Sequence, residues 1–322
     1  MKGVKYALII AGFILTSSLG ILAPTYYVSL LTFMLLYGIL ALSYDIMGGL
    51  TGYMNLGHII FYGIGAYVFA LTINTLFSVA GLSHLPSILF PAFIMSMITA
   101  GLVALLLSYP LFRLRGFYFA VASLGLITFT SILFSSPELA PITGGFSGIT
   151  LNSSVANQTS PQLSYYLALV FFIITGSVHF LLRRSKFGLN LKCIKEDEEI
   201  SEVSGIHTFR NKQLALICSA MLAGIAGGCY MLFQTYTNPR FVFSIEFAFL
   251  PVTIALLGGS GTFIGPLIGA IIFTFVYQFL VVNLPSLTKL ILGLVLIGVG
   301  MGASRGLMEI YSLILRRRDN TS

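Results

Sequence analysis

The chain is a succession of apolar runs, each about as long as a bilayer is thick and each bounded by proline, glycine or charge. A spanning helix needs roughly 20 predominantly apolar residues, because backbone inside lipid must satisfy its own hydrogen bonds. Runs of this kind fall at 6–23, 26–47, 58–80, 88–112, 117–135, 163–182, 213–235, 241–258, 262–283 and 287–304. The pattern predicts an all-α integral membrane protein of about ten spans (eight to ten), in one transmembrane domain over 1–322. Only 8% of residues are charged, against about 25% in a soluble domain. A soluble enzyme, a disordered chain and a nucleic-acid module are excluded on that ground. Pro251 and the glycines after it are expected to break the eighth run. Lys2 and Lys5 precede the first run, which reads as a retained anchor rather than a cleaved leader, since Pro24 stands where cleavage would fall.

The positive-inside rule tests this count. With the N-terminus inside and ten spans, fifteen of the seventeen basic residues fall on the inner side; Arg240 and Lys289 do not. The inner set is Lys2, Lys5, Arg113, Arg115, seven residues of the 183–212 loop, Arg305, and Arg316, Arg317 and Arg318 of the basic 305–322 tail. Both termini are therefore expected on the cytoplasmic face of a cell membrane, with Tyr in place of the absent Trp as interfacial anchor. The outer 136–162 loop is rich in Ser, Thr, Gly, Pro and Asn; its Asn152-Ser-Ser and Asn157-Gln-Thr triplets read as polar loop residues. Cys193, Cys218 and Cys229 lack C-x-x-C spacing and are odd in number, so a disulfide framework is not expected.

Residues 183–212 form the only sizeable hydrophilic block. Acids at 196–199 suit a helix N-terminus, Gly205 a C-terminal stop and Thr208 an N-cap. One or two short helices are expected to lie across the inner face. Leu189, Cys193 and Ile194, then Ile200 and Val203, give small apolar faces. Those faces either pack on the chain's own spans and lipid headgroups or dock a cytosolic partner.

Two segments interrupt apolar runs with glycine: Gly48, Gly49, Gly52 and Gly57, and Gly258, Gly259, Gly261, Gly265 and Gly269. Interruptions in matching halves of a chain point to a transport pathway, because freed backbone can face a cavity but not lipid. Close helix packing is the other reading, with Gly261, Gly265 and Gly269 as one ladder and Gly224 and Gly228 as another. Asp45, Asn55 and His58 flank the first segment. Asp45 is expected to cap the backbone around Gly48–Gly52, and His58 to make a hydrogen bond in the same turn rather than bind metal. His179 lies near the inner end of the sixth run. No Gly-Lys dipeptide occurs, so the chain has no phosphate-binding loop for ATP, and no nucleophile–base pair is evident.

Four blocks in order carry a resemblance. They are Ala41–Gly49 with Gly52, Leu56-Gly57-His58 and Phe61–Tyr67; Arg113-Leu-Arg-Gly116-Phe-Tyr-Phe-Ala120 with Thr143-Gly-Gly145 and Gly148; Arg184-Ser-Lys-Phe-Gly188 through Glu196, Glu198, Gly205 and Ile206; and Leu257–Thr262 with Gly265-Pro266 and Gly269. Together they resemble the LivM-type permeases of branched-chain amino acid ABC importers, over a core of about 30–305. The chain departs from that pattern at Asp45 (usually Asn), Asn55 (usually Ser) and Lys186 (often Pro). The resemblance implies a translocation pathway for Leu, Ile and Val, with urea, short amides or other amino acids as alternative substrates. It implies that Asp45, Gly49, Gly52, Asn55, Gly57, His58, Gly258, Gly259, Gly261 and Gly265 line the pathway. It makes 183–212 the ATPase-coupling region, through Arg184, Phe187, Gly188, Leu191, Ile194, Glu196, Glu198 and Gly205. The implied partners are a second, LivH-type permease, two cytosolic ATPases holding ATP and Mg2+, and an extracytoplasmic binding protein; no cofactor is implied for this chain. A stand-alone ion-coupled transporter using Asp45, and a passive channel with a glycine filter, are the rival classes.

Overall fold

The computed structural model of the chain describes residues 24–80 and 85–302, together with Gly20. The run at 6–23 (Gly20 apart), Lys2, Lys5 and the basic residues beyond 302 lie outside the described residues. Helices α1 (Thr25–Thr51), α2 (His58–Ala80), α3 (Leu85–Leu111) and α4 (Phe117–Ser135) come first. A capping region follows: α5 (Ala140–Thr143), β1 (Ile149–Thr150) and α6 (Ser153–Gln158). Then come α7 (Pro161–Arg184), α8 (Lys186–Glu196), α9 (Glu198–Val203), α10 (Thr208–Gln234), β2 (Tyr236–Thr237), α11 (Pro239–Val242), α12 (Ile245–Gly258), α13 (Ile264–Asn283) and α14 (Thr288–Gly302). Among the described residues, eight segments are long and apolar enough to cross a bilayer. They coincide with the second to ninth runs; the described part of the tenth is the 15-residue α14.

Pro251 does not break the eighth span. It sits inside α12, and the chain bends earlier, at Phe243–Ser244, where the Ser244 hydroxyl caps α12 by accepting from the Phe247 N–H (3.1 Å). Buried helices tolerate proline where neighbouring elements support the freed carbonyl.

α10 is the central element, packed on α1, α2, α3 and α7. Its glycines explain the closeness. A Cβ on Gly224 would lie 2.6 Å from the Ser96 carbonyl oxygen of α3, and one on Gly227 would lie 2.0 Å from that of Tyr62 in α2. Lipid tails are as apolar as leucine, so spans associate through this kind of backbone approach. The Ser96 hydroxyl adds a bond to the Gly65 carbonyl (3.0 Å). A second crossing joins α12 to α13, where Cβ atoms on Gly258 and Gly269 would meet carbonyl oxygens at 1.7 and 2.0 Å.

The spans alternate in direction, so their connections collect at two ends. At one end β1 pairs antiparallel with β2, Ile149 opposite Thr237. There the Asn74 side chain donates to the Thr150 carbonyl (2.9 Å) and accepts from the Asn152 N–H (2.8 Å). Asn152 also caps α6, by accepting from the Ser154 N–H. At the other end lie both glycine connections, α8 and α9, and Arg113, Arg115, Arg183, Arg184, Lys186, Lys192, Lys195, Arg210 and Lys212. The cysteines are free thiols, and Cys229 packs in the core.

Gly65→Ala is expected to destabilise the fold by about 1–3 kcal/mol, because the new Cβ would lie 2.2 Å from the Gly224 carbonyl oxygen. Gly125→Ala meets nothing within 4 Å and is expected to be neutral or mildly stabilising, as alanine is the better helix former. Melting of the two purified variants in one detergent separates them.

Candidate functional site at the glycine junction

The last turns of α1 carry Asp45, Gly48 and Gly49, and Gly52 ends the helix in the left-handed conformation (φ 77°). The second glycine segment turns between α12 and α13, with Gly259 (φ 118°) and Gly261 (φ 78°) in backbone conformations that favour glycine. Both segments are thus short connections between helices, and the fold brings them into contact. Asp45 joins them. Its Oδ1 accepts from the Gly261 N–H (2.7 Å) and the Ser260 hydroxyl (2.9 Å). Its Oδ2 pairs with Nε2 of His179 on α7 (2.9 Å). Both side chains are fully buried.

The sequence expectation for Asp45 therefore needs correction: it caps the other glycine segment, not its own. The physical reason is Gly49. A Cβ there would sit 2.0 Å from Asp45 Oδ1 and 2.6 Å from the Gly261 nitrogen, so the missing side chain is what lets carboxylate and turn meet.

His58 also reaches further than expected. Instead of bonding within its own turn, it contacts the hydroxyl of Ser43 on α1 (2.9 Å) and that of Ser219 on α10 (3.4 Å). Among the described residues no group of three or more His, Cys, Asp or Glu could hold a metal ion. Asn55 is buried, and its side-chain amide nitrogen lacks a protein partner. The Leu56 N–H beside it donates to the Ser123 hydroxyl on α4 (3.1 Å). The ten candidate pathway residues thus divide. Asp45, Gly49, Gly52 and Gly261 gather around one point. Asn55, Gly57 and His58 pack towards α4, α1 and α10, while Gly258, Gly259 and Gly265 belong to the α12–α13 crossing.

The hydrophilic block folds as the acids and glycine predict. Asp197 caps α9 by accepting from the Ile200 N–H (2.9 Å), and Gly205 (φ 85°) follows its end. Thr208 is not a cap: His207 occupies that position, and Thr208 donates to Glu202 (2.5 Å). The apolar faces are also redistributed. Gly188, Leu191 and Ile194 are buried, and α8 packs on α1, α7 and α10. Leu189 (61%), Ile200 (66%) and Val203 (91%) are exposed instead. Positions 188, 191 and 194 share one side of α8, which puts Leu189 on the other. Of the candidate coupling residues, Leu191 and Ile194 therefore support the platform from within, while Glu196 and Gly205 are exposed and Phe187 is half-buried. Arg184 stacks its guanidinium over Phe180 (4.2 Å).

Glu198 anchors α9. It accepts from Lys212 Nζ (2.5 Å) and from the Tyr53 hydroxyl. Lys212, itself buried, also lies 4.6 Å from the centre of the Tyr53 ring. Burial alone would raise the Glu198 pKa, but the bonds from Lys212 and Tyr53, with the charges of Lys212 and Arg115, outweigh it and hold the carboxyl below its ordinary value. The Tyr53 hydroxyl is pushed up, first by burial and then by the Glu198 carboxylate, so it stays a donor. The Arg115–Glu199 pair is exposed and worth little.

Residues 26–300 match the family described as branched-chain amino acid transport system / permease component. The chain is 29% identical over 272 residues to the high-affinity branched-chain amino acid transport system permease protein LivM of Escherichia coli K12, covering 76% of this chain and 61% of that protein. It thus spans less than two thirds of the length of that relative. It is 25% identical to BraD of Pseudomonas aeruginosa and 24% identical to LivH of Salmonella typhimurium, both named as permease proteins of the same kind of system; each match covers 73% of this chain and 79% of the relative. No solved structure matches.

Asp45→Ala strands three donors and is expected to cost about 3–5 kcal/mol, at about 1–3 kcal/mol for each buried polar group left without its partner. Asp45→Asn keeps an acceptor for Ser260 and Gly261, and His179 can accept from the new amide by carrying its proton on Nδ1. Its cost is expected at about 1–3 kcal/mol; equal melting of the two variants in detergent would refute this ordering. The depressed Glu198 pKa means that its support of α9 is complete above the ordinary carboxylate range, near about pH 4.3, and is lost as pH falls through the lowered value. Proteolysis at α8–α9 is expected to rise on acidification, and Glu198→Gln to be cut readily at neutral pH too.

Proposed function

The chain belongs to the permease family of branched-chain amino acid transport systems, and on that premise we propose that it is one permease subunit of an ATP-driven importer. The substrates this reading assigns are leucine, isoleucine and valine, in keeping with the names of its relatives. A second, LivH-type permease completes the pathway, since the chain is similar to relatives of both types. An extracytoplasmic binding protein delivers substrate to the end capped by β1 and β2. Two ATPases act at the opposite, cytoplasmic end, because this chain has no phosphate-binding loop of its own.

The observation that carries the reading is the platform of α8 and α9. It lies at the end of the molecule where the basic residues cluster, the signature of a cytoplasmic face. It turns Leu189, Ile200 and Val203 outward, beside a surface hollow of about 600 Å3 lined by Glu202 and Gly205 to Arg210. Exposed apolar groups rimmed by charge mark a protein contact, and the Glu198–Lys212–Tyr53 cluster fastens the platform to the spans. Movement of docked ATPases during ATP hydrolysis would then reach the pathway.

Asp45 supports a second reading, an ion-coupled transporter, since an intramembrane carboxylate paired with histidine is a common device for moving protons. In the importer Asp45 is a clamp, and Asp45→Asn should retain transport. The decisive experiment purifies the tagged chain from its native membrane with its companions. Ile200→Glu with Val203→Glu is expected to insert normally but to lose at least nine-tenths of the ATPase. Undiminished association would refute the docking face, and leucine uptake driven by a proton gradient without ATP would favour the second reading.

A further inference from the structure

Lys195, near the end of α8, reaches into the glycine junction. Its Nζ donates to the Gly49 carbonyl at 2.9 Å. Gly49 lies in the last turn of α1, where carbonyls lack helical partners and a cation is favoured. A lysine on the same helix could have done that. This one comes from 146 positions along the chain, and three glycines from both broken segments make its seat. A Cβ on Gly52 would stand 3.1 Å from Lys195 Cγ; one on Gly261 would stand 3.4 Å from Nζ and 3.0 Å from the Gly49 oxygen. Gly49 in turn carries the close approach of Asp45 to Gly261. One ammonium group therefore touches the point where α1, the α12–α13 turn and, through Asp45, α7 are joined.

Three residues further on, Glu198 holds Tyr53 of the α1–α2 connection and Lys212 of α10. The two sides of the α8–α9 elbow are thus fixed at two points, Gly49 in the last turn of α1 and Tyr53 in the α1–α2 connection. A hydrogen bond of this type spans only about 2.7–3.2 Å. The lysine stem lies against Gly52 and Gly261, so a displacement of α8 larger than its rotamers absorb must drag Gly49 or break the contact.

We propose that Lys195 is a positioning residue that couples the α8–α9 platform to the glycine junction, so that movement of the platform shifts α1 and the α12–α13 turn together. This rests on the importer reading above. Its signature is loss of coupling with assembly retained: ATP is hydrolysed but substrate no longer moves in proportion.

The test reconstitutes the complete complex in proteoliposomes with its binding protein and measures ATP hydrolysed per leucine taken up. Lys195→Met is expected to keep its ATPases and its hydrolysis while the ratio rises at least tenfold; Lys195→Arg, which keeps a charged donor, is expected to return it to within about twofold of wild type. A wild-type ratio in Lys195→Met, or a raised ratio that arginine does not correct, overturns the proposal. Loss of the ATPases from Lys195→Met would make Lys195 a mere strut and overturn it too, unless Lys195→Gln, which is polar but uncharged and one bond shorter, assembles with a raised ratio. If wild type itself takes up leucine without ATP, the importer reading fails first and the role of Lys195 falls with it; a wild-type complex that pumps while the variants match it condemns the Lys195 assignment alone.

Discussion

A carboxylate can be buried in an apolar bundle only if donors converge on it, because an unpaired buried charge costs several kcal/mol. Asp45 meets that condition with three donors from two other parts of the chain: Ser260 and Gly261 of one turn, and His179 of α7. The two glycine segments are held together by this arrangement. Without it, the Gly261 N–H and the Ser260 hydroxyl would lose their shared acceptor and the buried His179 its partner.

Glycine makes the convergence possible at two levels. In the spans, Gly65, Gly224 and Gly227 let backbones touch, which replaces the hydrophobic drive that lipid removes. At the junction, Gly49, Gly52 and Gly261 clear room for a carboxylate and an ammonium at the same place. The first use is about stability. The second concentrates the joints of α1, α7, α8 and the α12–α13 turn into a small volume, and so links the platform to the spans. Several of these glycines are packing positions, and those at the junction are joints.

Much of the fold is legible in the sequence, since span length and charge placement are both set by the bilayer. The eight spanning segments fall where the apolar runs lie, and α9 begins and ends at the expected acids and glycine. What could not be read is who meets whom. Asp45 and Gly261 are more than two hundred positions apart, and nothing in their neighbourhoods names the other. Periodicity likewise could not choose between the two sides of α8, because Leu189, Leu191 and Ile194 are all apolar and only packing on α1, α7 and α10 separates them. Lys195 looked like one basic residue among seven in its loop, and Lys212 like another. Lys212 is buried, while Lys195 is exposed and bonds Gly49 only through its Nζ; neither charge has a local mark that tells such an anchor from a solvated side chain.

The sequence by itself determined the class of molecule, the places where chain crosses the bilayer and the end at which positive charge gathers, because these follow from water and lipid acting on each segment separately. It also determined the family, because the spaced glycines and their flanking residues survive as local patterns. The tertiary structure alone decided that both glycine segments share one site, that Asp45 caps the distant turn and that Lys195 and Glu198 fasten the platform. Those outcomes depend on which donors and acceptors are left unpaired once the helices have packed, and no single segment carries that information.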